Sequence, residues 1–173
     1  YESDRVGLLS EIYDKHRSGD ITEVADATRL LEDMAAVLMD NGNPEDRYWI
    51  DLASRLFVGC AQLLLRGCDR EDFTLGNIYA LKTVFETNDH LMKALLDSMP
   101  SNLPERRNIS GTVVNAENTR RCILSFFDRG LLPYISNPGV SSILSKGDFS
   151  ASDAGFRPMA VFLRIPDESK AYD

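Results

Sequence analysis

The stretch from about Glu45 to Arg66 constrains this chain most. Tyr48, Trp49, Leu52, Ala53, Leu56, Phe57, Cys60, Leu63 and Leu64 recur there at helical spacing and cover a wide arc. A helix apolar over so broad a face needs partners on several sides, so it is expected to be central and largely buried. Pro44 suits its first turn and Gly67 closes it. The structure of the rest of the chain must supply the partners.

Other segments have the matching periodicity. Residues 4–17 place Val6, Leu9, Ile12 and Tyr13 on one helical face, and Gly19 ends the run. Asp20 or Thr22 then caps a second helix whose stripe is Val24, Ala27, Leu30, Leu31, Met34, Val37 and Leu38, and Asn41-Gly42-Asn43-Pro44 stops it. Asp72 or Thr74 opens a helix with Leu75, Ile78, Tyr79, Leu81, Lys82 and Phe85. Asn88 or Asp89 caps a shorter one with Leu91, Met92, Leu95, Leu96 and Met99. Two prolines within residues 100–107 predict a loop carrying Arg106 and Arg107. A helix follows over Asn115–Ile135, with Ile123, Leu124, Phe126, Phe127, Leu131 and Leu132, which Gly130 and Pro133 should bend or break. A short helix is predicted at Val140–Leu144.

The fold class expected is therefore mainly α: a bundle of six to seven helices. The core residues are Trp49, Leu52, Phe57, Phe126 and Phe127, with Tyr48 on the same aromatic stripe. A chain of 173 residues, 43% hydrophobic and 27% charged, can bury such a core without staples. Met159–Ile165 breaks the pattern. It is apolar, partly β-branched and bounded by Pro158 and Pro166, which predicts a strand with no partner elsewhere in the chain. A lone strand leaves its backbone groups unpaired. Residues 1–157 are thus read as a helical domain, and 158–173 as a strand and tail belonging to the sheet of a larger protein. The absence of an initiator Met and the abrupt end at Tyr172-Asp173 agree with an excised fragment.

Chemistry is harder to find. No phosphate loop, dinucleotide glycine motif or nucleophile elbow is present. His16 and His90 stand far apart without a ligand pattern around them, so ordinary surface or capping roles are expected. The carboxylate pairs Glu32-Asp33, Glu45-Asp46 and Glu71-Asp72 read as solvated helix faces. Cys60, Cys68 and Cys122 form no CxxC spacing, which fits a reduced, cytosolic chain, and Cys60 and Cys122 fall in apolar runs that predict inert thiols. No catalytic, cofactor-binding or metal-binding residue is expected. Tyr1–Asp20 is too polar for a signal peptide, and the longest apolar run, Leu56–Leu65, is interrupted by Gly59 and Gln62 and falls short of a membrane span.

The net charge of −8 argues against nucleic acid as the dominant ligand. The charge is uneven, however. Residues 1–60 hold 13 acids against 6 bases, whereas residues 105–130 hold five arginines against three acids. Arg106, Arg107, Arg120 and Arg121 are candidate contacts for DNA or an acidic partner; solubility and ion pairing with Glu117 and Asp128 is the alternative role.

Two segments resemble a known family. Asp46-Arg47-Tyr48-Trp49-Ile50-Asp51-Leu52-Ala53-Ser54-Arg55-Leu56-Phe57 resembles the (D)xxWxxxAxxLl stretch of TraG/VirD-type coupling ATPases of type IV secretion and conjugation. Gly147-Asp148-Phe149-Ser150 resembles their SDFD-like segment, and Val161-Phe162-Leu163-Arg164-Ile165-Pro166-Asp167 their strand of the vFLxIPd kind. The resemblance implies an all-alpha substrate-recognition domain inserted into a RecA-like motor. The phosphate loop would precede it and the Walker B segment would follow it. The chain itself is then not expected to be an enzyme and needs no cofactor, although ATP and Mg serve the parent. The parent would be a bacterial, membrane-anchored hexamer, with this soluble and monomeric domain at the cytoplasmic face of the inner membrane. Its partners would be a relaxase, an effector, an adaptor protein or transferred DNA. The alternatives are a domain contacting DNA directly and an unrelated helical enzyme with a dispersed site.

Overall fold

The computed structural model describes residues 8–145, and these are almost entirely helical. Eight α-helices follow one another among the described residues: α1 (Leu8–Arg17), α2 (Ile21–Met39), α3 (Arg47–Gly67), α4 (Leu75–Thr87), α5 (Asp89–Ser98), α6 (Pro104–Val113), α7 (Glu117–Ile135) and α8 (Pro138–Ser145). Short 3-10 turns at Pro44–Asp46 and Arg70–Asp72 lead into α3 and α4. The strand expected at Met159–Ile165 and the tail after it lie outside the described residues.

Side chains start the helices where the open alternatives allowed. Asp20, not Thr22, caps α2, accepting from the amides of Thr22 at 2.7 Å and Glu23 at 3.2 Å. Thr74 caps α4 through the Asn77 amide, and Asn88 caps α5 through the Leu91 amide.

α3 is the central helix, packed by α2, α4, α6 and α7. Ala53, Phe57, Cys60 and Ala61 have no exposed surface. Phe127 on α7 is equally buried, its ring 6.3 Å from that of Phe57, whereas Trp49, Leu52 and Phe126 are partly buried against the same core. Pro44–Gly67 is also long and apolar enough to cross a membrane by length and composition, but most of its apolar face is buried inside the bundle. α1 and α8, the first and last described helices, pack against each other.

Several expectations are corrected. Tyr48 is 59% exposed and Val37 is 73% exposed. At 100° per residue Tyr48 falls roughly opposite the Ala53–Phe57–Cys60 row, and Val37 falls about 90° from the centre of the Leu31–Met34–Leu38 row, so neither faces the core. Cys122 is exposed for the same kind of reason, lying beside Ile123 rather than on its face. α7 is not broken: it runs on through Gly130 and Pro133 to Ile135. Proline removes one amide, close to the end of the helix. Gly130 serves packing instead, since a Cβ there would meet the Met39 sulfur at 2.6 Å and the Leu38 carbonyl at 2.7 Å.

The largest correction is α6. Arg106 and Arg107 belong to a helix, not a loop, because Pro104 sits at the first position, where its missing amide costs nothing. The helix has little apolar periodicity. Its buried residues are Glu105, Ile109 and Thr112, and α3 supplies partners for two polar side chains on this face. Arg66 donates to the Glu105 carboxylate and Asn108 donates to Gln62 at 3.2 Å.

Candidate docking groove

A groove of about 820 Å³ lies between α2 and α3. Its floor is small and aliphatic, from Ala35, Ala36, Ile50 and Val58. α2 and α3 run antiparallel, with the Ser54 hydroxyl donating to the Ala35 carbonyl at 3.4 Å. Asn108 of α6 closes one end, and Gly42, Asn43 and Pro44 close the other.

That second end is held by its own side chains. Gly42 adopts φ +71, a conformation that favours glycine. The amides of Gly42, Asn43 and Glu45 donate to the side chains of Asp40, Asn41 and Asn43. The Asp46 carboxylate accepts from Asn41 at 2.7 Å and Asn43 at 3.1 Å. The turn therefore presents a fixed rim with these amides already bonded.

The rim is charged. Glu32 stands on α2 and Asp40 at its C-terminal cap; Arg47, Asp51 and Arg55 stand on α3. Arg47 and Asp51 lie 3.8 Å apart and are both well exposed, a contact of small energetic weight. The segment bearing the (D)xxWxxxAxxLl-like spacing thus faces two ways. Ala53, Leu56 and Phe57 enter the core, while Arg47, Ile50, Asp51, Ser54 and Arg55 line the groove.

The four candidate arginines are not brought together as one free patch. Arg106 donates to the Met99 carbonyl. Arg120 pairs with Asp89 at 2.6 Å, and Arg121 pairs with Glu117 on its own helix. Arg107 is exposed, with no ion-pair partner among the described residues. Asp128, expected near these arginines, instead binds Lys82 at 2.6 Å, and Glu86 binds the same ammonium at 2.8 Å. Lys82 is 1% exposed. Burial pushes its pKa down, but the two carboxylates outweigh burial and hold it above the ordinary lysine value. The signal for this position is in the sequence: Lys82 occupies the apolar row Ile78–Lys82–Phe85, where a lysine needs a counterion.

Neither histidine gathers ligands, and no group of three His, Cys, Asp or Glu side chains among the described residues is placed to hold a metal. Burial, with Arg17 and Arg66 nearby, lowers the His16 pKa. Burial pushes the Cys60 thiol up to about 12, which keeps it protonated and unreactive. No protein-family model, no curated protein and no solved structure matches this chain.

Proposed function

We propose that this chain is a helical substrate-recognition domain of a type IV secretion or conjugation coupling ATPase, which docks a protein substrate or its adaptor. The observation that carries the reading is the α2–α3 groove, walled by the helix whose sequence resembles that family. An open, rigid-ended groove with an aliphatic floor and a charged rim suits a protein segment. The packing of α1 on α8 agrees with an inserted domain, whose two connections must lie near each other. Direct DNA contact gains less support, because three of the four candidate guanidiniums already have partners within the fold.

A photo-crosslinker in place of Ala36, on the groove floor, tests the reading. Exposure to the relaxase or effector encoded with the protein should give a covalent adduct. Failure to crosslink or co-purify, while the full motor retains its substrate, would overturn the assignment.

A further inference from the structure

The walls of the groove differ in charge. Glu32 on α2 and Asp40 just past its end are eight residues apart, and Arg47 and Arg55 stand at i and i+8 on α3. Each interval spans about 12 Å of helix. Because α2 and α3 are antiparallel, Glu32 and Arg55 lie toward the Asn108 end, and Asp40 and Arg47 toward the turn. Asp51 takes up part of the Arg47 charge at 3.8 Å, which leaves Arg55 as the stronger basic point. Neither Glu32 nor Arg55 has an ion-pair or hydrogen-bond partner among the described residues.

The occupant must satisfy its own backbone. The rim amides of Gly42, Asn43 and Glu45 are taken by side chains, and no sheet edge is present among the described residues. An extended segment would find no ladder to join, whereas a helix needs none. A floor of alanine, isoleucine and valine admits aliphatic side chains.

We infer that the groove takes an amphipathic helix of a partner protein with basic residues along one edge, acidic residues along the other and aliphatic residues between. This rests on the groove being the docking face proposed above. Opposed wall charges select the direction in which the helix lies and reject helices of a single sign; they contribute more to specificity than to affinity.

The probe is a designed helix of about four turns, with Lys on one edge, Glu on the other and an Ala/Leu face. All-Lys and all-Glu helices of the same length are the controls, the former because a chain of net charge −8 attracts any polycation. Amide chemical shifts of the labelled protein locate binding, and anisotropy measures it. The two-edged helix should shift groove residues and bind more tightly than either control. Glu32→Lys or Arg55→Glu should each weaken it about two- to fivefold, as expected for exposed charge pairs, and the double exchange, which leaves both walls mixed in sign beside Asp40 and Arg47, should weaken it further in either direction. Both positions are exposed, so the variants should keep the fold. A single-signed helix binding the groove equally well, or single variants without effect, would overturn the inference and leave the docking reading standing. If no helix shifts the groove and the groove variants still capture the natural substrate, the docking reading falls as well.

Discussion

The Lys82 ammonium lies 2.6 Å from the Asp128 carboxylate, tying α4 to α7 at a point where the lysine is sealed and its partners are not. The side chains of Asp128 and Glu86 keep 30% and 44% of their exposure, so both still meet water. The two ends of the contact therefore respond differently to removal. Lys82→Met keeps the buried stem and leaves two solvated carboxylates; it should cost less than ~1.5 kcal/mol, as volume-conserving changes do. Asp128→Ala leaves a buried ammonium with one half-exposed partner and should cost ~2 kcal/mol, below the range for breaking a fully buried pair. Urea midpoints of the two variants measure the order. Lys82→Met proving the more damaging would show that the pair contributes net stability as a pair.

Gly59 is the hinge point of the α3–α6 contact in a steric sense. A Cβ there would meet Ile109 Cγ1 at 2.8 Å, Asn108 Cβ at 3.0 Å and the Ile109 amide nitrogen at 3.2 Å. Gly59→Ala should gain helix propensity yet lose ~1–3 kcal/mol to overpacking, a net destabilisation. At Gly67 an added Cβ meets nothing within 4 Å, so Gly67→Ala should stay within ~0.5 kcal/mol of the parent. Equal thermal midpoints for the two variants would mean that α6 can back away from α3 without loss.

These two contacts mark where sequence reading succeeds and fails. Lys82 is visible because it interrupts an otherwise apolar row, and the helices with broad stripes, α2, α3 and α7, are found with their main core residues. α6 is invisible because its buried face is polar: Glu105 and Asn108 are acceptable there only through Arg66 and Gln62, some forty residues earlier in the chain. Periodicity carries no information about such pairing. Tyr48 and Val37 fail for a different reason, since spacing by three or four residues drifts off the stripe when it is followed without tracking the angle. The groove could not be read at all. Its charged residues are ordinary surface positions until the antiparallel packing of α2 and α3 sets Glu32 and Asp40 opposite Arg55 and Arg47.

The Arg66–Glu105 pair gives a third expectation. Glu105 retains 2% of its side-chain exposure and Arg66 retains 50%. Arg66→Met removes the guanidinium but leaves the carboxylate buried, and should cost ~2 kcal/mol. Adding Glu105→Gln to it removes the stranded charge and should recover part of that loss. A double-mutant cycle by chemical unfolding reads the coupling. Strict additivity of the two changes would show that the carboxylate reaches water without its arginine.

Alkaline pH should destabilise the chain progressively, and Cys60 contributes to the first loss. Its ordinary pKa of 9.0 is pushed up to about 12 by complete burial. Between these values the unfolded chain has lost the thiol proton and the folded chain has kept it. The contribution is therefore whole below pH 9.0 and falls as pH rises toward 12, with a slope of at most ~1.4 kcal/mol per pH unit for one proton. Lys82 adds a second loss in the same direction. Its folded pKa lies above 10.5, so its contribution holds below 10.5 and disappears as pH climbs through the raised value. Burial also raises the Cys68 thiol above 9.0 and the Tyr79 phenol above 10.0, so both add to the loss between pH 9.0 and 10.5, and the difference between parent and Cys60 variant isolates the Cys60 thiol. Cys60→Ala should lower stability at neutral pH by leaving a small cavity, yet flatten the pH dependence in that interval. Urea unfolding of both proteins at half-unit steps from pH 8 to 11 measures it. A parent and a Cys60→Ala variant that decline in parallel between pH 9.0 and 10.5 would place the responsible group elsewhere.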